Sequence, residues 1–326
     1  MGGSQRDLEL ADEWQQADEA EVDVGFERRE RALAMADHGL RLDKLLTLLA
    51  PEFSRNHLQG LVEAGHVRVD GVTSSTSSRK LKAGQTVVVT LVPPAESLAF
   101  TPQAMNLDVV YEDAHLLVVN KPAGLVVHPA AGNWSGTLLN GLLARDPAAA
   151  QLPRAGIVHR LDKDTSGLMV VGRSLQAVTA LMRDIAARTV KRRYMALAHG
   201  DVGRADFTVD GPVGRDPAVR VRMAVIPQGK PARTDVMPVA YRDGVSAVRC
   251  ALHTGRTHQI RVHLAHQGHP LVADAVYGGR HLLGMTRQAL HAVELGFAHP
   301  VGGEMLAFEC PPPDDFASAW AAVAIG

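Results

Sequence analysis

Leucines at intervals of three and four residues begin the patterned part of the chain near Arg41. Such spacing is typical of an amphipathic helix, which Pro51 would end. A second helix is predicted after Ser54, whose hydroxyl can cap a helix start, and Gly65 would end it. The apolar positions that predict the two helices are Leu42, Leu45, Leu46 and Leu49, then Leu58, Leu61 and Val62.

Alternating apolar and polar residues follow these helices. Val67 and Val69 alternate with polar neighbours, and Asp70-Gly71 has the composition of a hairpin turn. The run Thr86–Val92 predicts another strand. Residues 39–95 are therefore expected to form a small helix–helix–strand module, too small to be a catalytic domain by itself.

Apolar runs of strand length dominate the rest of the chain, with helical patterns and Gly/Pro turns between them. The predicted strands are Leu107–Tyr111, Leu116–Asn120, Leu168–Gly172, Arg193–His199, Ala247–His253, Ala289–Phe297 and Met305–Phe308. Helices are predicted around Leu138–Leu142, Leu175–Ile185 and Thr257–Gly268. The pattern indicates that residues 96–326 form an α+β domain with a mixed, largely antiparallel sheet.

Charge changes this picture because it is unevenly distributed. The chain carries 34 basic and 35 acidic residues, but residues 1–38 hold 11 acids and four bases. This segment predicts an acidic flexible tail, with a short helix around Glu27–Met35. Residues 154–193 and 215–261 each hold nine Lys or Arg against three acids. One such stretch is usually solvated surface, whereas two favour a face that binds a polyanion.

Composition excludes several classes of protein. The two cysteines, Cys250 and Cys310, are too few for a disulfide scaffold or a four-thiolate zinc site. No apolar run reaches the ~18 residues that span a bilayer, and the acidic N-terminus does not resemble a signal peptide. We expect a cytoplasmic protein with no membrane association.

Candidate chemistry concentrates in Gly156–Gly167, GIVHRLDKDTSG. Asp162 lies there in a polar, sharply turning segment between apolar runs, where catalytic side chains are common. A turn with capping Asp and Ser side chains would account for the same residues without any chemistry. The pair Asp162 and Asp164 also resembles the signature of haloacid-dehalogenase-type phosphatases. However, a buried strand should precede the first Asp of that signature, and Thr165 lies one position too early.

The segment HRLDKDTSG resembles the active-site signature of the RluA-type pseudouridine synthases. Further blocks resemble that family in the same order: Asn120–His128, Arg192–Tyr194, Thr254–Gly278 and Arg287–Ala292. Their detail is most similar to the RluD branch, which modifies large-subunit ribosomal RNA. That branch carries an N-terminal α/β RNA-binding module of the alpha-L type, shared with small-subunit ribosomal proteins, and residues 39–95 are similar to it.

The resemblance implies a cofactor-free isomerase in which Asp162 is the nucleophile. Arg261 would keep the Asp162 carboxylate ionised, and Tyr194 would stack on the flipped uracil and assist proton removal from carbon 5. Arg160 would fill the space that the flipped base leaves. His159, Thr165 and Arg256 would shape the pocket or contact RNA phosphate.

The resemblance also implies that the N-terminal module binds the RNA backbone through basic side chains, in salt-sensitive contacts. The candidate residues are Arg41, Lys44, Arg55, Arg68 and Lys80, and a small packing domain with a solvated face is the alternative. The expected partner is large-subunit ribosomal RNA, free or within a pre-ribosomal particle, bound by a monomer.

Two other functions stay open at the level of sequence. The same chemistry could act on transfer RNA, or the protein could be a non-catalytic RNA-binding assembly factor. A zinc hydrolase is disfavoured. Five histidines lie within 17 residues, but they do not form the His-Glu-x-x-His motif. They are His253, His258, His263, His266 and His269.

Overall fold

A computed structural model describes residues 27–130, 132–219 and 222–325. The chain divides into two units between Pro94 and Ala95. In the described part of the N-terminal unit, four strands form one antiparallel sheet in the order β1-β4-β2-β3. The strands are β1 (Glu27–Ala32), β2 (Val67–Val69), β3 (Val72–Thr73) and β4 (Thr86–Leu91). Two helices, α1 (Leu42–Leu49) and α2 (Arg55–Glu63), and a 3₁₀ turn (Met35–Asp37) complete it.

The two predicted helices are present, and the predicted leucines form their buried faces. Ser54 caps α2 as expected, because its hydroxyl accepts a hydrogen bond from the His57 amide. Asp70 and Gly71 both have positive φ angles in the turn between β2 and β3. That conformation is the one that Asp-Gly hairpin turns require.

The short helix predicted around Glu27–Met35 is wrong. Glu27–Ala32 forms β1, which pairs along its whole length with the central strand β4. Its two rows of side chains are exposed or half-buried, so its apolar signal is weak. Long-range pairing therefore decided this element, against a local preference that favoured a helix. The first 26 residues of the predicted acidic tail lie outside the described residues.

A nine-stranded mixed sheet organises the C-terminal unit, in the order β5-β6-β7-β14-β8-β13-β12-β9, with β15 also paired to β14. All neighbours are antiparallel except β7 and β14. Its strands are β5 (Asp108–Glu112), β6 (Leu116–Lys121), β7 (Ser166–Gly172), β8 (Lys191–His199), β9 (Phe207–Asp210), β12 (Arg233–Arg242), β13 (Val245–Leu252), β14 (Leu290–Ala298) and β15 (Met305–Glu309). A separate ribbon pairs β10 (Val213–Arg215) with β11 (Met223–Val225).

Helices cover both faces of this sheet. Side chains of α3 (Leu138–Arg145) and α5 (Gln259–His266) pack on one face. Side chains of α4 (Leu175–Ala186) and α6 (Asp314–Ala324) pack on the other. The described part of this unit also contains three 3₁₀-type turns, Ala95–Phe100, Pro147–Gln151 and Pro153–Gly156. Because both faces are buried, central strands such as β7 are apolar throughout, which explains their clear sequence signal.

All seven strands predicted after residue 107 are present, and the predicted α+β class is confirmed. Strands β9 to β12 and helix α6 were not predicted. Residues of β12 are largely exposed or half-buried, and Pro238 interrupts it at a bulge, so neither alternation nor composition indicated a strand. The small residues of α6 give a weak apolar pattern, although Asp314 and Asp315 in its first turn are a helix-start signal.

Candidate active site

A cleft of about 760 Å³ lies in the C-terminal unit, with the loop before β7 and the start of α5 in its wall. Its lining is strongly basic, since six arginines contribute to it and Asp162 is its one acidic residue among the described part of the chain. The arginines are Arg154, Arg160, Arg188, Arg192, Arg256 and Arg261. Such a surface attracts a polyanion.

The carboxylate of Asp162 is paired with Arg261. Nη1 of Arg261 donates to Oδ2 of Asp162 at 2.9 Å. The other edge of the guanidinium donates twice to Asp274, at 2.7 Å from Nε and 2.9 Å from Nη2. Arg261 and Asp274 are buried, whereas the Asp162 side chain keeps 16% of its exposure and faces the cleft.

Two opposing effects set the protonation of Arg261. Burial lowers its pKa, but hydrogen bonds and charges, first of Asp274 and then of Asp162, outweigh burial and raise the pKa. Arg261 is therefore a permanent cation, held by a bidentate contact with Asp274 that fixes its plane. This contact leaves the Nη1–H group of Arg261 directed at Asp162, the residue that the sequence pairs with Arg261.

Backbone contacts hold the loop that carries Asp162. The Thr165 amide donates to the Asp162 carbonyl at 3.1 Å, which closes a turn directly after the carboxylate. Buried Lys121 donates from Nζ to the carbonyl of Lys163 at 2.9 Å, and Arg287 donates to the carbonyl of Asp164 at 2.9 Å. The Lys121 and Arg287 side chains thus fix the two residues that follow Asp162 in the chain.

Gly167 ends this loop at a position that only glycine can occupy. Its φ is +116°, and a Cβ atom there would lie 2.2 Å from the carbonyl oxygen of Ala292 on β14. The backbones of β7 and β14 approach closely at this point, where the two strands pair in parallel. The glycine that ends the sequence motif is therefore a packing requirement, and it sets the position of Asp162 relative to the sheet.

His258 lies on the other side of the Asp162 carboxylate, with Nε2 at 3.9 Å from Oδ1. Its Nδ1 is 2.8 Å from the hydroxyl of Tyr277, and the Met223 amide donates to the same hydroxyl oxygen at 3.0 Å. The hydrogen bond between Nδ1 and the Tyr277 hydroxyl holds the imidazole with its Nε2 facing Asp162. Burial, more than any charge, lowers the pKa of His258 and keeps it neutral.

The backbone of His258 is strained. Its φ is +57°, in the left-handed region that residues other than glycine seldom adopt, at the residue that precedes α5. Strain of this kind persists where the surrounding structure enforces it, which is common at functional sites.

Tyr194 lies on β8, buried, and faces the cleft. It belongs to the apolar cluster on the same sheet face as α3 and α5. Burial raises the pKa of its phenol. The phenol is therefore protonated at neutral pH.

The other predicted RNA contacts of the C-terminal unit also line the cleft. Arg160 is exposed and makes no hydrogen bond or ion pair with described residues. Arg256 donates from Nε to the carbonyl of Pro231 at 3.1 Å, which leaves its terminal nitrogens available. Thr165 is buried, and its hydroxyl lies 3.3 Å from Gln288. His159 accepts a hydrogen bond from the Val170 amide at 3.0 Å.

The basic candidates of the N-terminal unit fall into two groups. Arg41 and Arg55 both donate to Asp43, a fully buried carboxylate at the start of α1. Both keep about half of their side chains exposed, so they combine a structural contact with access to solvent. Lys44, Arg68 and Lys80 are exposed and make no ion pair in the described part of the chain.

Four of the five clustered histidines have separate partners, His258 with Tyr277 among them, and His266 is exposed. His263 lies between the Thr234 hydroxyl and the Gly211 carbonyl, His253 contacts Asp235, and His269 contacts the His199 carbonyl. Among the described residues, no group of three or more His, Cys, Asp or Glu side chains could hold a metal ion. Within the same residues no helix is long and apolar enough to cross a membrane.

Comparison with known proteins agrees with this geometry. The family model for RNA pseudouridylate synthase matches residues 115–266, and the S4 domain model matches residues 40–87. The large subunit pseudouridine synthase D of Neisseria meningitidis serogroup B is 51% identical over 85% of this chain and 77% of that protein. The chain belongs to the pseudouridine synthase family. The protein of the same name from Nitrosomonas europaea is 46% identical over 87% of this chain and 85% of its own.

A solved structure extends the likeness to the fold. Human RNA pseudouridylate synthase domain containing 1 matches with a TM-score of 0.51 and 29% identity, over 68% of this chain and 87% of that one. The family resemblance read from HRLDKDTSG and the later blocks is thereby confirmed.

Sequence reasoning missed four residues at the site: Asp274, His258, Tyr277 and Arg192. The first three lie within 20 residues of one another, inside the block that resembles the family. Only the fold shows that Asp274 and Tyr277 turn back onto Arg261 and His258. Arg192 had one available signal, because it is two residues before Tyr194 and alternation on β8 directs both side chains to the same sheet face.

Proposed function

We propose that this protein isomerises uridine to pseudouridine in large-subunit ribosomal RNA, with Asp162 as the nucleophile. Two relatives that align over most of the chain are named large subunit pseudouridine synthase D. The pairing of Asp162 with Arg261, at 2.9 Å in a cleft lined by arginines, is the observation that carries the proposal.

The Asp162 carboxylate suits a nucleophile. It is half-buried, and its charge is balanced by a guanidinium that is itself anchored to Asp274. Because Arg261 occupies Oδ2 at 2.9 Å and His258 is 3.9 Å from Oδ1, Oδ1 is the oxygen that is free to attack. A carboxylate nucleophile divides one difficult substitution into two easier steps.

The reaction balances without a redox partner. The bond between uracil N1 and the ribose C1′ breaks, the uracil rotates, and a bond between C5 and C1′ forms. C5 loses its proton and N1 gains one, so the product is an isomer of the substrate. Tyr194 would hold the flipped ring by stacking, and Arg160, exposed at the cleft, would occupy the space the base leaves.

We propose that the two units have different functions, RNA binding for the N-terminal unit and catalysis for the C-terminal unit. Residues 39–95 would hold the RNA backbone through Lys44, Arg68 and Lys80, assisted by Arg41 and Arg55. Residues 96–326 would carry out the isomerisation. Action as a cytoplasmic monomer, on free RNA or within a pre-ribosomal particle, belongs to the same proposal.

Tritium release tests the proposal directly. Large-subunit ribosomal RNA, transcribed with tritium at uracil C5, is incubated with the wild-type protein and with Asp162→Asn. Wild type is expected to release tritium to water and Asp162→Asn to release none, while both bind the RNA equally. Asp164→Asn is the matched control, because that carboxylate is two residues away and does not line the cleft. It is expected to keep wild-type turnover.

Other outcomes would redirect the proposal. Release from transfer RNA but not from ribosomal RNA would keep the chemistry and change the substrate. No release from total cellular RNA of a strain that lacks the protein would refute catalysis and favour a non-catalytic assembly factor.

A further inference from the structure

Arg192 is a buried cation in the wall of the cleft, and it has no anionic partner among the described residues. It lies on β8, two residues before Tyr194, and keeps 6% of its exposure. Its guanidinium makes no hydrogen bond or ion pair within the described residues, and its Nε is buried without a partner. A buried charge without a partner is expensive, so a side chain of this kind usually has an anion to bind.

His159 presents a second unpartnered donor in the same wall. Because its Nε2 accepts from the Val170 amide at 3.0 Å, the ring proton is on Nδ1. That Nδ1 is also buried without a partner in the described part of the chain. Burial first, and the positive charge of Arg192 second, lower the pKa of His159 to about 3. The ring is therefore neutral, and it lies within the electrostatic reach of Arg192.

Gly255 provides the space that the guanidinium of Arg192 needs. A Cβ atom at Gly255 would lie 2.8 Å from Nη1 of Arg192, and apart from the two chain neighbours of Gly255 no other described residue has an atom within 4 Å of it. The turn that contains Gly255 also carries Arg256, another cation of the cleft wall. The absence of a side chain at this position thus lets the guanidinium lie directly against the turn.

We propose that Arg192 and the Nδ1–H group of His159 form a phosphate subsite, which binds one backbone phosphate next to the flipped uridine. The subsite rests on the proposed function, because RNA is the substrate that supplies the anion. Asp162, the one described acid of the cleft lining, is already paired with Arg261 and cannot serve Arg192. A planar guanidinium with a neighbouring neutral donor matches the several oxygens of a phosphate.

Binding of a short RNA separates this contact from the others. The probe is a fluorescent octamer of uridylate, and its dissociation constant is measured at several salt concentrations. Arg192→Met is expected to weaken binding about tenfold at low salt, and to reduce the slope of log affinity against log salt by about 0.7, the value for one phosphate contact on a single strand.

Arg193→Met is the matched control. Arg193 is the next residue on β8, and it pairs with Glu294 instead of lining the cleft. Its substitution removes the same charge as Arg192→Met. It is expected to leave both affinity and slope unchanged. Thermal unfolding of both variants checks that the fold is intact.

Gly255→Ala keeps the positive charge of Arg192 but displaces its guanidinium from the turn. The new methyl group meets only the flexible end of Arg192, so the fold should tolerate the change. We expect this variant to weaken octamer binding about as much as Arg192→Met, even if Arg192→Met itself fails to fold.

An unchanged salt slope in Arg192→Met, an unchanged affinity in Gly255→Ala, or an equal loss in Arg193→Met would each overturn the subsite. A wild-type protein that does not bind the octamer at low salt would overturn it as well. None of these measurements depends on turnover. Failure of tritium release with a normal Arg192 effect would therefore refute the proposed reaction and leave the subsite.

Discussion

At the scale of single residues, the site depends on one guanidinium with two carboxylates. Arg261 donates two hydrogen bonds to Asp274 and one to Asp162. The first pair is fully buried and the second faces the cleft. Asp274 therefore acts as a positioning residue, since it fixes the plane of the cation that aims the nucleophile.

Loss of that anchor should be visible in the rate. In Asp274→Asn we expect kcat for tritium release to fall by about 100-fold, because small displacements of reacting groups cost rates of this size. RNA affinity should not change, since Asp274 does not line the cleft. Steady-state tritium release at saturating RNA measures the first quantity and octamer binding the second.

Glu294→Gln provides the comparison for Asp274→Asn. Glu294 also contacts two arginines, Arg193 and Arg249, but none of these three side chains lines the cleft. If Glu294→Gln slowed turnover as much as Asp274→Asn, the positioning role of Asp274 would be wrong and a general loss of stability would explain both.

At the scale of elements, Asp43 joins the two helices of the N-terminal unit. It lies in the first turn of α1, and it accepts hydrogen bonds from Arg55 and Gln59 on α2 as well as from Arg41. The hydrogen bond from Arg41, against a smaller opposing effect of burial, lowers the pKa of Asp43. A carboxylate with several charged donors stabilises the junction only while it is ionised.

The pH dependence of Asp43→Asn follows from that shift. Because the folded-state pKa is below the unfolded value, the stabilisation is complete above about pH 4. It is lost as the pH falls from there through the folded-state pKa. Asp43→Asn should therefore cost about 2 kcal/mol at pH 7, a modest value because the arginines are half-exposed, and progressively less below pH 4.

Hydrogen exchange of the α1 and α2 amides in the full chain, corrected for intrinsic rates, measures this difference from pH 3 to pH 7. Glu63→Gln, an exposed position on α2, should have no effect at either end of the range. A penalty for Asp43→Asn that did not shrink at low pH would contradict the assigned ionisation.

Secondary structure was predicted correctly for strands that are buried on both faces and for helices that bury one face only. Central strands such as β6 and β7, and the leucine faces of α1 and α2, carry patterns that packing requires. The prediction failed for β1 and β12, whose exposed and half-buried residues lack such a pattern. Those strands form because a neighbouring strand offers unpaired backbone groups, and that information is not local.

At the scale of the whole molecule, a chain with a net charge of −1 has a cleft lined by arginines. The arginines come from separate stretches, which include the loop before β7, the start of β8 and the turn before α5. In the N-terminal unit, Lys44, Arg68 and Lys80 add exposed positive charge without ion pairs in the described part of the chain. Local charge distribution, not net charge, is the relevant quantity for RNA binding.

The triple variant Lys44→Gln, Arg68→Gln and Lys80→Gln tests the role of the N-terminal unit. We expect a higher KM for ribosomal RNA, a shallower salt dependence and an unchanged kcat, because the lost contacts are made equally in the ground state and the transition state. Steady-state tritium release at several salt concentrations measures all three.

A second triple variant controls for total charge. It removes the same charge from residues of the C-terminal unit that do not line the cleft. The substitutions are Arg204→Gln, Arg242→Gln and Arg249→Gln. An equal rise in KM in both triple variants would mean that overall charge, and not the proposed RNA-binding face, controls affinity.

The sequence by itself determined the class of the fold, most of the central elements, and the identity of Asp162, Tyr194 and Arg261 as site candidates. These are properties of periodicity and of motifs, which are local along the chain. Tertiary structure alone decided that Asp274 holds Arg261, that Tyr277 orients His258, and that Arg192 lies buried without a partner among the residues that the structure describes. Contacts between residues far apart in sequence, and the burial that gives them their strength, arise only when β7, β8, β14 and α5 meet in one sheet and its covering layer.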